Sequence, residues 1–390
     1  MMEEKKMKKI LEAMLGTSKT DDRSAKNFYV HDQVIQGYTT PLTNLRGHAQ
    51  LITHTDLDGY AAGAIVVEAI ADNLYNGNKG AVNVFHSDYA THPTLDNTAD
   101  VIVITDYCFQ NLEMGEEIDN AIKCGTPVIY IDHHESGIKN MEFLSKESGM
   151  DFLSTLPGIR SKDYCGTMLA WAYFHPGEVI PEFVDLVDDW DCWKLKDPRS
   201  KALNMAFSNM EDGPDGWDKD IKSSHWEELL HGVIDLYHPD RHVNERMARY
   251  VDYGVHFDQY IRDHRRSVLM EEGFVATLYD SHNLTTDGAP VKALVLVTPD
   301  HSSLVFGDLL TTDKQKGAFD YGLIIHDNGN SCTASIYCRG DLTPNARQIC
   351  ELYGGGGHNG AAGFQWSKID RPDFLPYNPR SVKSLVDYLK

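Results

Sequence analysis

From His48 onward, short apolar runs alternate with longer stretches whose apolar residues recur at helical spacing. "HAQLITH" (48–54) predicts a strand, "GYAAGAIVVEAIADNLY" (59–75) a helix, and "AVNVFHSD" (81–88) and "ADVIVITD" (99–106) two more strands. "MGEEIDNAIKCG" (114–125) follows as a helix with a glycine stop, then "TPVIYIDHH" (126–134) as a fourth strand. Strands alternating with helices of this length predict βαβ units, a parallel sheet and right-handed connections. A polar irregular stretch then leads to two helices, "YCGTMLAWAYF" (164–174) and "PEFVDLVDDWDCWKL" (181–195). "NMEDGPDGWDKD" (209–220) is a loop by its Gly, Pro and Asp content. Residues 240–273 contain no proline and one internal glycine, and predict a single long helix that joins two domains. A second alternation starts at Gly273: strands "FVATLYD", "VKALVLVT", "DYGLIIHD" and "SCTASIYCRG", helices near 302–313 and 343–353, the run "GGGGHNGAAGF", and a last helix from about Arg380.

The expected fold class is therefore α/β. An extension (1–47) precedes a parallel-sheet domain (48–200), a long helical connector (201–272) and a smaller mixed-sheet α/β domain (273–390). The 390 residues, 42% hydrophobic and 24% charged, are enough for two or three packed cores. No apolar run reaches the roughly 18 residues that span a bilayer, and the lysine-bearing start has amphipathic spacing without a cleavage site. The expectation is a cytoplasmic protein with no membrane partner. Seven scattered cysteines with no CxxC pair support neither a disulfide framework nor a thiolate zinc site. A net charge of -22 argues against binding long duplexes through their phosphates. Residues 48–200 carry 25 acids against 9 bases, so the acidity is concentrated in the first domain.

That domain places its acids and imidazoles at strand ends. The first strand ends in "HTDLDG", with His54, Asp56 and Asp58 on alternate residues that share a face in an extended segment. The third ends in Asp106, the fourth in Asp132, His133 and His134, and the later helix carries Asp188, Asp189 and Asp191. In parallel sheets the carboxyl edge is where ligands bind. Crowded carboxylates repel one another, and one or two divalent cations relieve that repulsion. Oxygen and imidazole donors suit Mn2+ first, with Mg2+, Co2+ and Zn2+ also compatible. Two such ions are a common device for cleaving phosphoesters.

The ordered set "HTDLDG", "VITDY", "IDHH", "VDDWD" and "GGGGHNGAAG" resembles the motifs of the DHH phosphoesterase superfamily with its associated C-terminal domain, over roughly residues 48–366. The resemblance implies that His54 and Asp56 bind one metal ion, Asp58 and His133 the other, and that Asp106 bridges them. It implies a further carboxylate from the fourth motif, taken as Asp189 with Asp188 as the alternative. Asp132 would orient a ligand, and His134 would contact the scissile phosphate. In the second domain, Gly355, Gly356 and Gly357 with His358 and Arg339 form a candidate grip for phosphate or nucleotide, because glycines let backbone N–H groups approach an anion.

Only Thr55 separates His54 from Asp56, where many phosphatase-type members have three residues, and "DDWDCW" is similar to the NrnB-like oligoribonucleases. The implied activity is hydrolysis of short single-stranded oligonucleotides or dinucleotides to mononucleotides by a water activated between two divalent ions. A phosphatase for small nucleotides, a cyclic or linear dinucleotide phosphodiesterase and a catalytically silent scaffold are the alternatives. The sequence is compatible with a homodimer.

Overall fold

The computed structural model describes residues 29–30, 45–87, 93–149, 156–210, 216–231, 245–277, 285–286, 289–290, 292–297, 320–327, 329, 331–338, 342–367 and 383–384. The chain forms two compact units, Met1–Phe257 and Asp258–Lys390.

The first unit is built on a four-stranded, all-parallel sheet of β2 (Ala49–His54), β3 (Val82–Ser87), β4 (Ile102–Thr105) and β5 (Val128–Ile131), in the order β3-β2-β4-β5. Alternate residues of these strands face opposite ways. Leu51, Val103, Ile129 and Ile131 join one core cluster, while Ile52, Ile102, Ile104, Val128 and Tyr130 join another on the opposite face. The first cluster is covered by α1 (Leu57–Leu74), whose run of Ala, Gly and aliphatics leaves no polar stripe, as expected for a helix packed on several sides. The opposite face is covered by α2 (Leu112–Lys123) and α3 (Glu135–Ser148).

Three further helices complete the first cluster: α4 (Gly166–Phe174), α5 (Glu182–Asp191) and α6 (Pro198–Asn209). Beyond them, α7 (Ser224–His231) and the start of α8 (Glu245–Glu272) bring Leu229, Leu230, Met247 and Tyr250 into the same core. Residues 201–257, read from the sequence as the start of a connector, are thus part of the first unit. Leu203, Phe207, Trp217 and Trp226 are buried there, and such aromatic burial is core packing rather than linker behaviour. The stretch after β5, expected to be irregular, is the helix α3. In the extension, β1 (Tyr29–Val30) pairs antiparallel with β6 (Ile159–Arg160).

The second unit holds a mixed seven-stranded sheet. Its strands are β7 (Phe274–Thr277), β10 (Lys292–Val297), β11 (Tyr321–Asp327), β12 (Ser331–Cys338), β13 (Gly356–Gly357), β14 (Ala361–Ser367) and β15 (Lys383–Ser384). Their order is β13-β14-β12-β11-β10-β7-β15, with the β10–β11 pair parallel and the other described pairs antiparallel. A separate two-stranded ribbon joins β8 (Thr285–Thr286) and β9 (Ala289–Pro290). The short helix α9 (Ala346–Glu351) packs its Ile349 and Cys350 against this sheet. Lys383 and Ser384 lie in β15, so the helix expected from about Arg380 does not include them. The helix expected near 302–313 falls outside the described residues, as does Arg339. All seven cysteines lie outside disulfides, and no described helix is long and apolar enough to cross a membrane.

Candidate metal centre

The carboxyl edge of the four-stranded sheet gathers side chains from β2, β4, β5 and α5. The chain turns sharply from β2 into α1, and Asp56 caps that helix by accepting the Gly59 N–H at 2.9 Å. Its other oxygen lies 3.0 Å from His54 Nδ1. A Cβ on Gly59 would sit 2.5 Å from the His54 carbonyl oxygen, so glycine is required for the strand end and helix start to lie this close. Burial works against protonation of His54, but Asp56 outweighs it and raises the histidine pKa.

Asp58 is buried, and its two oxygens accept the N–H groups of Gly166 and Thr167 at the start of α4, each at 2.7 Å. The start of α4 thereby fixes both oxygens of this carboxylate. One Asp58 oxygen is 3.7 Å from His133 Nε2. Asp106 follows β4 in the left-handed region, φ 49°, which Asp tolerates better than most side chains. Its backbone N–H is tied to the Ile131 carbonyl at 2.9 Å. Asp106 Oδ1 is 3.2 Å from His133 Nε2, whereas its buried Oδ2 meets no hydrogen-bond donor among the described residues.

The fourth-motif carboxylate that reaches this cluster is Asp191, with Oδ2 3.4 Å from His133 Nε2. Asp189, the residue expected in that place, has other partners. Asp189 accepts the Lys196 N–H at 2.9 Å, the Asp197 N–H at 3.1 Å and the Ser200 hydroxyl at 2.7 Å, so both of its oxygens bind the following loop. Asp188, the alternative, accepts the Cys165 N–H at 2.9 Å and pairs with Lys194. Asp188 and Asp191 are three residues apart and share a helix face, while Asp189 is rotated by about 100°.

Burial pushes the Asp106 carboxyl well above the usual range, and the negative charges of Asp58, Asp56 and Asp191 push it further. Asp191 is raised for the same reasons, burial first, then Asp58 and Asp56. Among the described residues, three groups could hold a cation, with the donor atoms of each group within 4.8 Å of one another: Asp106, His133 and His134; His54, Asp56 and Asp106; and His133, Asp191 and Cys192. Cys192 adds a thiol to the carboxylate and imidazole donors expected from the sequence. Burial and the adjacent Asp188 and Asp191 raise its pKa, so without a cation it is a neutral thiol.

Behind the cluster, Asp132 is fully buried. Its Oδ2 accepts the Tyr130 hydroxyl at 3.0 Å and its Oδ1 lies 2.7 Å from His134 Nδ1. Burial alone would raise the Asp132 pKa, but the charge and hydrogen bond of His134 and the charge of His133 lower it overall. Asp132 therefore orients the His134 ring through Nδ1.

In the second unit the glycine run has a structural use. Gly356 and Gly357 form β13 against β14. A Cβ on Gly355 would lie 2.1 Å from the Gly363 carbonyl oxygen, and Gly357 has φ 136°. The N–H groups of Gly354, Gly355 and His358 are donated to Glu351, Cys350 and Ala361. Close strand approach accounts for Gly355 and Gly357, and the Gly355 and His358 N–H groups expected to cradle an anion are already used within the fold.

No protein-family model and no curated protein matches the chain. Among solved structures, the DHH domain of a protein described as a member of a family of ribosomal proteins aligns at 12% identity, covering 83% of this chain and 83% of that one, with TM-score 0.46. RecJ from Thermus thermophilus in complex with Mn2+ aligns at 15% identity and TM-score 0.38. That alignment covers 81% of this chain but 49% of RecJ, so the chain spans about half of that protein. The pGpG-specific phosphodiesterase PggH from Vibrio cholerae aligns at 13% identity, with 83% and 94% coverage and TM-score 0.37. Likeness at these scores assigns no activity to this chain.

Proposed function

We propose that the first unit belongs to the DHH type of phosphoesterase and is a metal-dependent phosphodiesterase that hydrolyses short oligonucleotides to mononucleotides in the cytoplasm. The observation that carries this reading is Asp106: a buried carboxylate beside Asp58, Asp56, Asp191 and Asp132, pushed toward its neutral form, with Oδ2 meeting no donor among the described residues. A donor set of carboxylates and imidazoles fits divalent cations such as Mn2+ or Mg2+, and a cation at Asp106 would satisfy the orphaned oxygen.

His54, Asp56, Asp58, Asp106, His133 and Asp191 would hold two such ions, with Asp106 shared between them. When bound, the ions supply charge neutralisation, polarisation of the phosphoryl group and a more acidic water. The chain's own part is orientation. Asp132 holds the His134 ring through Nδ1, so that Nε2 can hydrogen-bond a phosphoryl oxygen as charge builds on it. The α4 N–H groups keep the Asp58 carboxylate facing the cluster.

The acidic surface supports a short substrate, because a long polyanion meets repulsion beyond the few residues in contact with the ions. The test is incubation of metal-depleted protein, with and without Mn2+, with labelled RNA of two, five and about twenty residues. A small bisphosphorylated nucleotide and a cyclic dinucleotide are run in parallel, with Asp106→Ala as control. Rapid Mn2+-dependent loss of the shortest RNAs, absent in the variant, is the expected result. Hydrolysis of the bisphosphate alone would assign a phosphatase, and no metal-dependent cleavage of any substrate would leave the scaffold alternative.

A further inference from the structure

The turn after α5 holds a tryptophan at the surface beside the carboxylate cluster in sequence. Trp193 is 52% exposed, and its ring centroid lies 5.1 Å from that of Trp190, with the planes tilted by 57°. Only Cys192 separates it from Asp191, so the two Cα atoms are at most about 7 Å apart. Both Trp193 (φ 55°) and Leu195 (φ 50°) adopt the left-handed backbone region, which bulky side chains rarely occupy.

This conformation is fixed from all sides. The N–H groups of Cys192, Trp193, Lys194 and Leu195 are donated to the carbonyls of Asp188, Trp190 and Asp189, and those of Lys196 and Asp197 to the Asp189 carboxylate. Lys194 is anchored as well, paired with Asp188 and lying 4.6 Å from the centre of the Tyr164 ring. The fold thus accepts backbone strain at two residues and leaves a large aromatic surface in water. Sites where strain is kept in this way are often functional, and an exposed indole on a turn whose backbone is hydrogen-bonded throughout is suited to stacking on a flat aromatic ligand.

We propose that Trp193, backed by Trp190, is a stacking platform for a nucleobase, so that the phosphoester taken by the adjacent cluster carries a base next to the bond that is cleaved. The location of the reacting bond rests on the phosphodiesterase reading above. The platform narrows the substrate class to nucleotides over sugar phosphates or inorganic polyphosphates. It is tolerant of base identity, because every base offers a π face. It also gives Asp189 a purpose: that carboxylate holds the turn that presents Trp193.

Two readouts test the platform separately from catalysis. In equilibrium binding with Mg2+ present, AMP should quench tryptophan fluorescence of the full chain, and ribose 5-phosphate should not. Trp193→Ala should weaken AMP binding at least about fivefold, while Trp193→Phe, which keeps an aromatic face, should stay within about threefold of the wild type. In kinetics, Trp193→Ala should raise KM for an adenylyl dinucleotide by a similar factor. It should leave kcat and the KM for the corresponding abasic dinucleotide unchanged. Equal AMP affinity in the wild type and Trp193→Ala overturns the platform, as does dinucleotide hydrolysis with an unaltered KM in that variant. Trp193-dependent AMP binding without hydrolysis of any phosphodiester keeps the platform and overturns the catalytic reading.

Discussion

Asp191 and Asp189 are two residues apart and have opposite surroundings, so their amide variants should fail in opposite ways. Asp191→Asn removes a carboxylate facing His133 and should lower Mn2+ affinity and hydrolysis by two orders of magnitude or more, on the order of the loss of a metal ligand, with little change in melting temperature. Asp189→Asn turns one of the two accepting oxygens into an NH2 donor, so that at least one of the three hydrogen bonds at this buried position is lost, and should cost about 1–3 kcal/mol of stability, with metal binding retained. Calorimetric metal titration and thermal melting separate the two, and the reverse pattern would return Asp189 to the metal set. Asp106 and Asp191 also set a pH dependence. Their folded pKa values are raised, so metal-free native protein keeps protons that the unfolded chain releases above about pH 4. Between that pH and the raised values, stability falls as pH rises. Asp132 acts in the other direction: its lowered pKa contributes stability that is present above about pH 4 and lost as pH falls through the folded value. The melting temperature of metal-free protein should therefore decline from weakly acidic toward neutral pH. Mn2+ should raise it by an increment that grows with pH, and an increment independent of pH would count against cation binding at these carboxylates.

At the scale of elements, the site depends on close approach between strand ends and helix starts. Gly59→Ala would push a methyl group to 2.5 Å from the His54 carbonyl oxygen, and the resulting shift of α1 against β2 should cost about 1–3 kcal/mol and weaken metal binding through His54 and Asp56. A melt and a metal titration on the same sample would show both losses, and an unperturbed protein would mean that the approach is looser than described. These contacts also explain what was legible in the sequence. The four parallel strands were readable because each apolar run is bounded by turn residues and both faces are covered, and the strand-end residues His54, Asp56, Asp58, Asp106, His133 and His134 followed from them. The helix α3 was not, because Gly137 and the surrounding polar residues resemble a loop. Gly137 is there for clearance instead: a Cβ would lie 3.0 Å from Asp132 Oδ2. The choice among Asp188, Asp189 and Asp191 needed the phase of α5 relative to the sheet, which a run of acids does not reveal. The same limit applied to the glycine run, where the clearance required by Gly355 against β14 is a contact that spacing along the chain does not disclose.

For the molecule as a whole, the charge of -22 sets which substrates approach easily. A basic nuclease loses affinity as salt rises, because counterions compete for the phosphates. Here the long-range field repels the substrate, and salt screens that repulsion. The ratio of hydrolysis rates for an RNA of about twenty residues over a dinucleotide should therefore increase from low to physiological ionic strength, which parallel initial-rate measurements would show. A falling ratio would point to a basic track for the polymer.

The left-handed backbone at Asp106 has a practical consequence for trapping a bound substrate. Asn shares with Asp a tolerance of that backbone region and nearly the same shape, whereas a longer or branched residue would add strain to the loss of charge. Asp106→Asn is therefore the variant suited to crystallising an uncut complex: it leaves the turn between β4 and the cluster in place while removing the negative charge at its centre.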